Sequence, residues 1–292
     1  MKMISAQLRK KFFDLLCCHS SSDLIQYLRA YEGLSIPPKE LLEVSCELVN
    51  GKKADGTRLA ITCLRRQDVL EWFSACRKKE PLIQDILFEN TAEDCFGIGL
   101  ADGPLGADAC RIKIYNTYGR SQLLVRKIQH IQKLFPLLNI SDAKFKKDLE
   151  LFRKIEGIAI DWDHQGPATI KVYYGYFESE QLFVGPFQAL SKEEILCYDI
   201  LRKQGLLPRM FLRCARYSRD GRTFRTDMRF QTKRVVPYLR ILDHQREASR
   251  FFVDFYKIFP DLELEYISMQ WAPVEKMQYY FIVREGQGNP SF

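Results

Sequence analysis

Five times along the chain, two short runs of alternating apolar and polar residues flank a turn rich in Asp, Asn, Gly or Pro. The runs are 41–49 with 57–64, 95–101 with 109–116, 157–163 with 169–177, 210–217 with 223–231, and 264–271 with 277–284. Alternation of period two makes one face of each strand dry and the other wet, and turns of this chemistry join antiparallel neighbours. A hairpin is only marginally stable alone, so five of them must share a sheet and cover its dry face. Helical patterns at 67–77, 121–134, 143–155, 191–204 and 244–258 can supply that cover. Ser191 with Glu194 forms a capping box, and Pro136 and Pro260 stand where helical patterns stop. No linker rich in Gly, Ser or Pro divides the 292 residues, so residues 1–292 read as one domain of the α+β class.

The wet faces carry the chemistry. In the first pair Glu43, Ser45 and Glu47 oppose Val44, Cys46 and Leu48; in the second, Arg111, Lys113 and Tyr115 oppose Cys110, Ile112 and Ile114. Lys171 and Tyr173 repeat the arrangement, and Arg58, Arg229 and Tyr280 continue it on other strands. If helices cover the dry faces, the wet ones look either into bulk water or into the lumen of a closed barrel. About ten strands would enclose a chamber wider than side chains alone can fill. Cations on adjacent strands suit a diphosphate, and aromatic faces beside them suit a carbocation. Pattern alone leaves open whether Arg58, Arg111, Lys113, Lys171 and Arg229 are such a lining or ordinary solvated strand residues.

Composition narrows the classes. Lys and Arg number 44 against 37 Asp and Glu, a net charge of +7 that fits an anionic ligand without naming one. No apolar run reaches membrane-spanning length, and Arg9, Lys10, Lys11 and Asp14 interrupt the N-terminal stretch, so a soluble cytoplasmic protein is expected. Nine cysteines without a Cys-x-x-Cys spacing read as reduced thiols, and four scattered histidines give no zinc pattern. The glycine-rich phosphate loops of nucleotide enzymes and the Gly-x-Ser-x-Gly elbow are missing from the sequence. Asp161-Trp162-Asp163 is a poor substitute for an Asp-rich magnesium cluster, and Lys144, Lys146 and Lys147 read as a solvated helix face.

Leu42-Glu43-Val44-Ser45-Cys46 with Arg58-Leu59, the strand Arg111-Ile112-Lys113-Ile114, the strand Ile170-Lys171-Val172-Tyr173, and Gln278-Tyr279-Tyr280-Phe281 resemble, in order and spacing, the cyanobactin peptide prenyltransferases. These belong to the aromatic prenyltransferases with the ABBA barrel, a closed antiparallel barrel with a solvated lumen, ringed by helices. The resemblance implies transfer of a prenyl group from dimethylallyl or geranyl diphosphate to a side chain of a small, often macrocyclic, ribosomal peptide. Magnesium would accompany the diphosphate, with no dedicated protein metal site. By position Glu43 matches the catalytic carboxylate, and Arg58, Arg111, Lys113 and Lys171 match the diphosphate cradle, joined by Arg229, where relatives carry other residues. Tyr115, Tyr173 and Tyr280 would shield the allyl cation.

Glu47, Asp161 and Asp227 add acid to the same faces, enough to hold a guanidinium, which favours an arginine acceptor. The alternatives are a prenyltransferase of a small aromatic metabolite, or a non-catalytic module that binds RNA or another anion. The expected partners are an allylic diphosphate and a peptide, with no nucleic acid and no membrane, acting on a monomer.

Overall fold

The computed structural model describes residues 5–18, 20–34, 41–49, 52–53, 58–76, 82–88, 91–102, 110–152, 154–163, 166–178, 195, 199, 203, 210–232, 258–259, 263–270 and 276–283. The alternating runs become β1 (Leu41–Val49), β3 (Arg58–Leu64), β4 (Cys95–Ala101), β5 (Arg111–Thr117), β6 (Ile155–Asp163), β7 (Gly166–Glu178), β8 (Met210–Ser218), β9 (Gly221–Thr232), β10 (Glu263–Gln270) and β11 (Lys276–Val283). A two-residue spur, β2 (Lys52–Lys53), pairs with the end of β1. Each strand pairs antiparallel with the next, and β11 returns to pair with β1 from Leu42↔Val283 to Val49↔Lys276. The ten long strands therefore close into a barrel, with no edge left to manage. The turns that join β1 to β3, β4 to β5, β6 to β7, β8 to β9 and β10 to β11 all fall at one end, because each hairpin is entered and left from the other.

Six helices are described: α1 (Ala6–Cys18), α2 (Ser22–Glu32), α3 (Arg66–Cys76), α4 (Leu82–Ile86), α5 (Leu124–Leu137) and α6 (Ala143–Leu151). They cover the dry face of the barrel. Phe73 of α3 lies 5.4 Å from the Trp162 ring of β6, and Phe135 of α5 lies 5.4 Å from Tyr217 of β8. Leu42, Val44, Ile61, Ile98, Ile112, Ile114, Ile160 and Ile170 complete the buried layer from the strand side. The alternation read from the sequence thus holds, with the apolar half facing helices and the polar half facing the lumen. No described helix is long and apolar enough to cross a membrane.

Three features differ from the sequence reading. The pair α1 and α2 was not expected, although Phe12, Phe13 and Leu16, then Leu24, Leu28 and Tyr31, are buried at helical spacing. Ser21 caps α2 by accepting from the Leu24 amide at 3.3 Å. The helix expected over 143–155 ends at Leu151, because Phe152 is already extended and Ile155 opens β6. Pro136 lies inside the last turn of α5, where its ring has little helix beyond it to disrupt, and Asn139 at φ 55° carries the chain away. Of the expected helices 191–204 and 244–258, only Ile195, Asp199, Lys203 and Ile258 are described, each helical; the remainder lies outside the described residues.

Packing of α5 buries a histidine. His130 is held between the Tyr118 hydroxyl and the Asp85 carbonyl, each at 2.7 Å, and stacks on Phe88. Burial lowers its pKa to about 4, so the native state holds it neutral. The unfolded chain takes up this proton near pH 6.5 and the native state only near its lower value. Stability is therefore complete above the unfolded pKa and falls as pH drops from about 6.5 toward 4, by about 3 kcal/mol at most. Thermal unfolding followed between those pH values should show this limb, and His130→Leu should flatten it while lowering stability throughout.

Candidate active site

The register of the barrel explains which polar side chains meet. Ala60, Gly99, Lys113, Asp161 and Thr169 stand directly opposite one another across β3 to β7. Tyr115, Ala159, Lys171, Arg216 and Thr223 form the next row, across β5 to β9, and Gly157, Tyr173, Cys214 and Arg225 form a third. Residues distant in sequence become lumen neighbours because every strand presents the same parity inward. Small residues on β3, β4 and β6 keep one wall thin. At Gly99 a side chain is excluded by a close approach, since a Cβ there would sit 3.0 Å from Tyr115 Cε2 and 3.1 Å from Lys113 Cβ.

These walls enclose a cavity of about 620 Å³. Its charged lining is Arg58, Arg111, Lys113, Lys171, Arg216 and Arg225 against only Glu43 and Asp161. Among the described lining residues cations outnumber carboxylates three to one, a balance that suits an oligoanion held by charge-assisted hydrogen bonds. Arg111 is exposed and Lys171 is buried, so the cations run from the hairpin end inward.

Asp161 is the centre of the cluster. Its Oδ2 accepts from the Thr169 hydroxyl at 2.9 Å and pairs with Lys171 Nζ at 3.0 Å, while Oδ1 lies 3.5 Å from Lys113 Nζ. Arg216 Nε stands 3.9 Å from Oδ2 and donates to the Thr169 hydroxyl at 3.4 Å. Burial would raise the Asp161 pKa, but Lys171, Lys113 and Arg216 overcome it and hold the carboxyl well below the usual range. Lys171 is pushed the other way: burial lowers its pKa, Asp161 opposes, and Lys113, Arg225 and Arg216 lower it further.

Deeper in the lumen Arg225 pairs with Asp227, Nε to Oδ1 at 3.2 Å, and lies 5.9 Å from the Tyr173 ring centroid. Tyr266 and Tyr280 stack at 3.9 Å. Burial raises the pKa of Tyr115, Tyr173, Tyr266 and Tyr280, so all four phenols stay protonated donors. On the opposite wall Glu43 accepts from the Thr62 hydroxyl at 3.2 Å, and the Ser45 hydroxyl accepts from Gln278 Nε2 at 2.8 Å.

The structure brings together Glu43, Arg58, Arg111, Lys113, Lys171, Tyr115, Tyr280 and Asp161 around one cavity, as the parity argument expected. It does not place Asp227 or Tyr173 on the cavity wall: Asp227 is 2% exposed and clamped by Arg225, and Tyr173 lies beneath that arginine. The backbones of Glu47 and Arg229 lie in β1 and β9, while their side chains lie outside the described residues. Arg216, Arg225 and Thr169 were missed. Inward parity could have found Arg225, which shares the parity of Arg229 and Asp227, and it could have found Arg216, two residues from Cys214.

The carboxylates do not make a magnesium site. Asp161 is engaged by lysines and Asp227 by Arg225, and the described residues contain no group of three His, Cys, Asp or Glu able to hold a metal ion.

No protein-family model matches the chain, and no curated protein matches it in sequence. Solved structures do. That of 6-dimethylallyl tryptophan synthase superposes with a TM-score of 0.65 at 11% identity, over 96% of each chain. NotF in complex with brevianamide F and DMSPP gives 0.60 at 12% identity, over 98% of this chain and 97% of that one. A further structure of the NotF prenyltransferase gives 0.59 at 11%, over 96% of both. At these identities the likeness is one of fold, and the fold is the ABBA prenyltransferase barrel.

Proposed function

We propose that the protein, over residues 1–292 as a single unit, transfers a prenyl group from an allylic diphosphate to a nucleophilic acceptor inside the barrel. The observation that carries the reading is the lumen itself, where, among the described residues, six cations face two carboxylates beside Tyr115 and Tyr280, on this fold. The C–O bond of the donor breaks, and the departing diphosphate takes the electron pair into the cradle of Arg58, Lys113, Lys171, Arg216 and Arg225. The rings of Tyr115 and Tyr280 shield the allylic cation. The acceptor forms the new bond to carbon, and its proton passes to Glu43, which Thr62 orients.

For the acceptor, a small aromatic molecule has better support than the peptide expected from sequence. The neighbours are by name a 6-dimethylallyl tryptophan synthase and NotF in complex with brevianamide F and DMSPP. Two of the three acids expected to grip an arginine guanidinium are already paired with Lys171 and Arg225. The test is mass spectrometry of products from five-carbon and ten-carbon donors with tryptophan, a cyclic dipeptide of tryptophan, and arginine- and tyrosine-containing cyclic peptides. A prenyl mass on an indole or phenol of the small acceptors is the expected result. Transfer only to peptide arginine would restore the peptide reading. Absence of all products together with salt-sensitive RNA binding would favour the non-catalytic module.

A further inference from the structure

The carboxylate at the centre of the cation cluster has a role that acceptor binding does not explain. Asp161 offers about four lone-pair directions. Thr169 and Lys171 approach Oδ2 at 2.9 and 3.0 Å, Lys113 and Lys171 approach Oδ1 at 3.5 and 3.4 Å, and Arg216 completes the ring at 3.9 Å from Oδ2. A guanidinium bound bidentate here would have to displace Lys171 or Thr169 from the carboxylate. Its row in the barrel explains the geometry: Lys113 and Thr169 stand directly opposite it on the two adjoining strands, while Lys171 reaches across from the next inward position.

We propose that Asp161 is a positioning residue of the diphosphate cradle, the fixed counter-ion that holds the Lys113 and Lys171 ammonium groups aimed at a common point in the empty enzyme and opposes the loss of the Lys171 proton. This rests on the prenyl-transfer reading. Without a counter-ion the buried Lys171 ammonium would be repelled by the half-buried Lys113 and two arginines, and the cheapest relief is loss of a proton from a lysine, because arginine does not release one. Among the described residues the groups sharing the lumen with Lys171 are Glu43 on β1, Arg58 on β3, Arg111, Lys113 and Tyr115 on β5, Asp161 on β6, Tyr173 on β7, Cys214 and Arg216 on β8, Arg225 and Asp227 on β9, Tyr266 on β10 and Tyr280 on β11. Of the acids among these, only Asp161 touches Lys171. Lys171 is therefore the group that discharges when Asp161 is lost.

The sign of the effect separates this role from acceptor binding. Asp161→Asn makes the empty cradle more positive, so at about pH 6 it should bind inorganic pyrophosphate and a thiolodiphosphate analogue of dimethylallyl diphosphate at least as tightly as wild type. As pH rises toward about 9, Lys171, whose pKa burial already lowers in wild type, should lose its proton at a lower pH in the variant, so the variant's affinity should fall ahead of the wild type's and be about tenfold or more weaker where the two curves diverge. Lys171→Arg added to Asp161→Asn should abolish the pH dependence, because a guanidinium stays charged. Asp161→Ser, measured in parallel, provides a second uncharged replacement should the Asn variant not fold. Parallel pH curves for variant and wild type, or a tenfold loss confined to acceptor KM, would overturn the proposal. Failure of wild type to bind either diphosphate would instead sink the prenyl-transfer reading on which it rests.

Discussion

Glu43→Gln is expected to lower prenyl transfer by about a hundred- to ten-thousand-fold, with affinity for a thiolodiphosphate donor analogue within about twofold of wild type. The carboxylate is buried, lies on the cavity wall, and sits across β1 and β3 from Ala60, where nothing bulky stands between it and the lumen. The Thr62 hydroxyl at 3.2 Å fixes one oxygen. An amide of the same shape keeps the packing but cannot take a proton, so the loss should fall on the chemical step. Donor binding should survive because the Lys113 and Lys171 ammonium groups are held by Asp161, which the substitution leaves in place. Single-turnover transfer combined with calorimetric titration of the analogue separates the two quantities. A variant that binds the analogue and transfers at the wild-type rate would remove Glu43 from the mechanism.

The reason Glu43 could be picked from sequence also explains what could not. Period-two alternation is a local property, so Leu41–Val49 discloses its inward residues without knowledge of any partner strand. Arg111, Lys113 and Tyr115 were legible in the same way, whereas alternation alone fits an open sheet as well as a closed barrel, and the closure was expected from the cation and aromatic types of the wet faces and from the family resemblance. Pair identities were not legible. Asp161 reads in isolation as a spare acid for an acceptor, and it becomes a counter-ion only because β6 pairs with β5 and β7 in a register that places Lys113 and Thr169 on either side. Asp227 was misread for the same reason. Its partner Arg225 is two residues away on its own strand, a spacing that in β-structure puts both side chains on one face, yet attention to single cations overlooked it. The helices α1 and α2 were hidden by Arg9, Lys10, Lys11 and Asp14, which argue against an export signal but lie mostly on the outer face of an amphipathic helix.

The pair Arg225 and Asp227 is where the largest change in stability should be found. Asp227 is 2% exposed, while Arg225 is half-buried on the cavity wall, with Tyr173 beneath the guanidinium. Burial would lower the arginine's pKa, but Asp227, with smaller help from Tyr280, Cys214 and Tyr173, holds it well above the ordinary value. Arg225→Met leaves a carboxylate without its ion-pair partner in a closed part of the lumen, and should destabilise the protein by about 3–5 kcal/mol in urea unfolding. Arg225→Met with Asp227→Leu removes both charges. It should recover most of that loss, because a buried ion pair replaced by apolar residues of similar volume is often close to neutral. The two variants then separate structure from chemistry: the double variant should fold almost as well as wild type and still bind a diphosphate analogue about tenfold more weakly, having lost one cation of the cradle. A double variant that folds and binds the analogue at wild-type affinity would make Arg225 a structural counter-ion for Asp227 alone, and would leave Arg58, Lys113, Lys171 and Arg216 as the groups that meet the donor.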